Sequence, residues 1–175
     1  NCPYLFQDEP KHQRLINAIK NGLSEDLQSA YNSVRSQLFR LQNLELMDAK
    51  FADYLDLIKQ VYAEFSGKNT IKMVGASKAL HFIHPELFVP WDTKIRENYH
   101  GNDPHHNKEH DEGTAECYAD FMKKCNETAR IIVDKISTTR LAEAHPAYET
   151  IQHIRKIPKM IDECNYSWFT KGQRW

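Results

Sequence analysis

From Ser24 onward apolar residues recur at Leu27, Ala30, Tyr31, Val34, Leu38 and Leu41. Intervals of three and four place them on one face of an α-helix, and the spacing predicts one continuous helix there. Ser24 followed by Glu25 and Asp26 supplies an N-cap and an acidic first turn. Phe51, Tyr54, Leu55, Ile58, Val61, Tyr62 and Phe65 make a second stripe, stopped by Ser66-Gly67. Tyr118, Phe121, Met122, Cys125, Ala129, Ile132 and Ile136 make a third. Shorter ones run over Leu15, Ile16 and Ile19, and over Ile151, Ile154 and Ile157, the last expected to break at Pro158. No run of strand length alternates between apolar and polar, and no segment repeats at a fixed period. The expected fold is all-α, a single domain over residues 1–175.

Two stretches depart from the helical pattern. Residues 69–99 carry most of a basic centre: between Lys59 and Arg96 stand six basic residues against three acidic. Residues 100–116 read as a polar, histidine-rich loop, with five acidic residues against one basic between Gly101 and Glu116. The whole chain has a formal charge of −1, so the contrast is local and a uniformly basic nucleic-acid binder is excluded. No apolar stretch approaches the roughly 20 residues of a membrane span, so no membrane partner is expected. Residues 1–10 are polar and offer no apolar core for a secretory signal. Cys2, Cys117, Cys125 and Cys164 lack the close pairing of a zinc or iron–sulfur site. They suit the reduced thiols of a cytoplasmic protein, and no cofactor is expected.

Within the basic centre, residues 71–79 read as a turn opening into a helix, with Gly75 supplying the turn's backbone freedom. Amide groups at the start of that helix would suit a phosphate, with Lys68 and Lys72 as countercharge. The helix continues through Phe82 and Ile83 to His84-Pro85. Residues 87–95 then run Leu-Phe-Val-Pro-Trp-Asp-Thr-Lys-Ile, placing Asp92 where another helix begins. There it serves either as N-cap or as a carboxylate held beside a pocket.

The pattern Ile71–Ala79, with Gly75 and Ala79 at the second-glycine and alanine positions, resembles the hairpin of the helix-hairpin-helix DNA glycosylase superfamily. Val89–Ile95 resembles the segment that carries that family's catalytic aspartate, here Asp92. The resemblance implies a helix-hairpin-helix-like core over about residues 56–99 and DNA as partner. It implies base-excision chemistry, with Asp92 stabilising positive charge on the sugar or activating water. Met73 occupies the first hairpin glycine's place, and Ser77 that of the lysine of the bifunctional members. Lys78, one position later, is the amine offered for attack on the sugar carbon if the local geometry turns it inward. Lys68, Lys72, Gly75, Ser77, Lys94 and Arg96 would contact nucleic acid. Phe88, Trp91, Tyr99 and Trp168 would stack a flipped base.

Bland roles compete with each of these. Asp92 suits a structural cap, Lys78 a solvated lysine, and Phe88 and Trp91 a packed core. A non-catalytic module of the same architecture, binding nucleic acid or a protein, is the first alternative. A metal-dependent hydrolase is the second, with His105, His106 and His110 as weak ligand candidates among Asp103, Asp111 and Glu112. His81 and His84, three apart on one helix, would be ligands only with a third partner. The aromatic C-terminal segment 158–169 is expected to pack back on the bundle.

Overall fold

The computed structural model describes residues 22–101, 114–138 and 157–167. Among these the secondary structure is helical, with no strand. The order is α1 Leu23–Ser33, α2 Arg35–Leu41, a 3-10 turn Phe51–Tyr54, α3 Leu55–Ser66, α4 Lys72–Ile83, α5 Thr93–Gly101, α6 Ala115–Thr138 and α7 Ile157–Asn165. The all-α expectation holds.

Helix α3 is the central element, packed against α1, α4 and α6. Leu57, Ile58, Val61, Tyr62 and Phe65 bury the stripe read from its sequence. Helix α6 turns Tyr118, Phe121, Met122, Cys125 and Ala129 into the same core. Helix α7 packs on α6 and buries Ile161.

Several local expectations are corrected. The stripe from residue 24 to 41 is two helices, because Val34 leaves helical geometry at φ −113° and ψ 16°. Leu38 N still donates to Val34 O at 2.9 Å, so the apolar face continues across the break. Gly22, in the left-handed region at φ 91°, takes the N-cap position expected of Ser24. Pro158 lies in the first turn of α7, where its missing N–H has no helical partner to lose; Ile151 and Ile154, like the stripe over Leu15, Ile16 and Ile19, lie outside the described residues. Both ends of the segment expected as a polar loop are helical, since α5 extends to Gly101 and α6 starts at Ala115; residues 102–113 lie outside the described residues.

The turn before α4 also differs. The reversal is complete by Ile71, and the left-handed residue is Lys72, at φ 53°. Gly75 lies inside the helix. Its lack of a side chain matters there in another way: a Cβ would stand 3.2 Å from Ile71 Cγ2.

Between α4 and α5 the chain passes through the core without regular structure, burying Leu87, Phe88, Val89, Pro90 and Trp91. Buried main-chain polar groups need partners, and side chains provide them. His81 Nδ1 donates to Phe88 O at 2.7 Å, and Tyr118 Oη to Val89 O at 3.0 Å. Val89 N donates to Met122 Sδ at 3.5 Å, and Trp91 N to Ser77 Oγ at 2.9 Å.

Candidate functional site

Helix α5 begins immediately after this buried connector, and Asp92 is its N-cap. Its Oδ1 accepts the amide of Ile95 at 2.8 Å, the third helical residue, while its carbonyl accepts that of Arg96 at 3.0 Å. The preceding residue is anchored to α4, because the Ser77 hydroxyl accepts from Trp91 N and lies 3.3 Å from Trp91 O. The start of α5 is thereby held in a defined place relative to α4.

Arg96 completes this neighbourhood. Its Nη1 lies 3.1 Å from Met73 Sδ, at the beginning of α4. Its Nε is buried without a hydrogen-bond partner. Among the described residues no carboxylate pairs with it. Tyr62 reaches the same point from α3, its hydroxyl donating to Met73 O at 3.2 Å. Burial pushes the Tyr62 hydroxyl pKa far up, opposed by the nearby Arg96 charge, so the phenol stays neutral. Lys72, exposed and without a carboxylate partner among the described residues, adjoins Met73.

The other basic candidates are placed differently. Lys68 pairs with Glu64 at 2.8 Å and reaches Ser29 on α1 at 3.3 Å. Thr70, in the same turn, donates to Asp26 through its amide at 3.1 Å and its hydroxyl at 2.7 Å. The turn is thus fastened to α1. Lys94 pairs with Glu97 at 3.1 Å. Lys78 is exposed, on the opposite side of α4 from buried Ser77 and Leu80.

The aromatic candidates belong to the core. Phe88 is wholly buried, and Trp91 stacks on Tyr118 and Phe121 at centroid distances of 5.5 and 5.1 Å. Tyr118 in turn stacks on Tyr62 at 4.0 Å. Neither Phe88 nor Trp91 offers an open face to a base, and Ser77 is equally enclosed. Tyr99 falls within α5, and Trp168 lies outside the described residues.

His105, His106 and His110 also lie outside the described residues. Among those described, no group of three His, Cys, Asp or Glu is placed to hold a metal. His81 binds Phe88 O, and His84 Nε2 donates to Leu41 O at 3.1 Å, so both histidines tie chain segments together. Cys117 and Cys125 are buried and form no disulfide, and burial raises the Cys125 thiol pKa. No described helix is long and apolar enough to cross a membrane.

Sequence reasoning missed the roles of Met73, Tyr62 and Asn126. Asn126 donates from its side chain to Leu46 O at 2.6 Å and Asp48 O at 3.2 Å, fixing the loop before α3. Its only signal was a polar residue interrupting the stripe of α6. Comparison with protein-family models, curated proteins and solved structures finds no match for this chain.

Proposed function

We propose that this chain binds DNA through the surface where α4 and α5 both begin, with Lys72 and Arg96 receiving backbone phosphates. The observation that supports this is the setting of Arg96. The half-buried Arg96 side chain has a buried, unbonded Nε and a thioether at Nη1, and among the described residues no carboxylate meets its charge. A phosphate oxygen would satisfy it, and Lys72 would add charge at the same place.

Base removal by Asp92 extends the same proposal. Oδ1 is occupied by the cap, and Oδ2 is the atom left to face a sugar. The favoured role is binding, because the capping bond accounts for Asp92 without any catalytic duty.

The test is binding of labelled duplexes, undamaged and carrying damaged or mismatched bases, measured against salt concentration. Each phosphate contact contributes about −0.9 to the slope of log K on log salt. The double variant Lys72→Ala, Arg96→Gln is expected to flatten the slope by roughly 1.8. An unaltered slope, or no binding at low salt, overturns the proposal. Base release that disappears in Asp92→Asn while binding persists would establish the catalytic extension.

A further inference from the structure

Four of the large apolar side chains left in solvent, Tyr31, Phe39, Phe82 and Ile83, lie together on one surface. Phe82 is 89% exposed and Phe39 68%. Tyr31 and Ile83, also exposed, line two adjoining hollows. Leu38 and Phe39 wall the first hollow, while Leu27, Phe65 and Phe82 wall the second. The strip spans α1, α2 and the end of α4. A contiguous apolar surface of this kind marks an interaction site on a folded protein.

Charge narrows the occupant. Arg35 lines the first hollow, Arg40 follows Phe39 directly, and Lys78 stands one turn before Phe82. Among the described residues none of the three pairs with a carboxylate. The nearby acids are largely engaged: Glu86 lies 3.6 Å from the His84 ring, and Asp26 is held by Thr70. Glu25 remains, at the far end of α1. A second copy pairing through this strip would set the same cations against each other, since a two-fold interface is self-facing.

We propose that the strip docks an amphipathic helix of a partner protein, its bulky apolar residues filling the two hollows and its flanking carboxylates facing Arg35, Arg40 and Lys78. The two hollows share Tyr31 and Ile83 as walls, and each would take one apolar anchor of such a helix. The strip shares no residue with the Lys72–Arg96 surface, so either proposal can fail alone.

The test uses the full chain and two labelled synthetic helices of about 16 residues. Both carry Leu at every third or fourth position; one has Glu flanks and the other Lys flanks. The Glu-flanked helix is expected to bind with a Kd on the order of micromolar, at least about tenfold tighter than its counterpart. Phe82→Ala and Phe39→Ala should each weaken it about tenfold with unchanged circular dichroism. Arg35→Glu with Lys78→Glu should reverse the preference between the helices. Equal affinity for both, or indifference to Phe82→Ala, overturns the proposal. Self-association, or flotation with phosphatidylserine vesicles, that Phe82→Glu abolishes would reassign the strip to a second copy or to a membrane and also overturn it.

Discussion

The Ser77 hydroxyl lies 2.9 Å from the main-chain nitrogen of Trp91, and both groups are buried. One short side chain of α4 thus satisfies the amide that immediately precedes Asp92. Ser77→Ala leaves that amide without an acceptor, so it is expected to destabilise the fold by about 1–3 kcal/mol. Urea denaturation followed by circular dichroism measures this. An unchanged midpoint would mean the clamp contributes nothing.

Asp92 separates capping from chemistry. Asn caps a helix about as well as Asp, so Asp92→Asn should leave stability nearly unchanged, whereas Asp92→Ala should cost about 0.5–2 kcal/mol. Equal losses in the two variants would show that charge, not the bond to Ile95, is what matters.

Trp91 provides the sharpest contrast between core and pocket. Its stack with Tyr118 and Phe121 predicts that Trp91→Ala loses about 3–5 kcal/mol, a large part of a domain's total stability. A wall of a base pocket would instead lose DNA affinity at constant thermal midpoint. Thermal melting and duplex binding of the same variant decide between them.

Lys72 holds a conformation that costs an L-residue about 1–2 kcal/mol. Lys72→Gly should therefore be more stable than Lys72→Ala by about 1 kcal/mol, though both remove the same charge. Identical midpoints would refute the strain.

The turn beneath α4 carries a pH dependence. Hydrogen bonds from the Thr70 hydroxyl and amide, with the Lys68 charge, hold the Asp26 carboxyl below its usual pKa. A depressed folded-state pKa gives stability that is fully present above the unfolded value, about 3.9, and is lost as pH falls through the folded one. The stability difference between wild type and Asp26→Asn should thus be constant near neutrality and vanish in acid. A difference that grows on acidification would contradict the bonding to Thr70.

Much of the architecture was legible in apolar spacing, because α3 and α6 bury most of the residues their stripes mark, whereas α1 buries Ala30 and leaves Tyr31 exposed. What escaped depends on partners distant along the chain. Ser77 meets Trp91 14 positions away and Arg96 meets Met73 23 away, separations that no helical period encodes. Phe88 and Trp91 were ambiguous for a chemical reason: a base-stacking wall and a hydrophobic core select the same side chains. Gly75 misled because a glycine that permits a turn and one that permits close packing look alike in sequence.

The connector over residues 87–91 has one more consequence. Its amides at Val89 and Trp91 are held by Met122 and Ser77, on two different helices, so neither amide is released by fraying a single helix end. Hydrogen exchange at these positions should run at the rate of whole-domain opening, slower than at the exposed ends of the helices. The carboxylate next in line therefore shares the rigidity of the most protected part of the molecule, and any ligand must come to Asp92 as it stands.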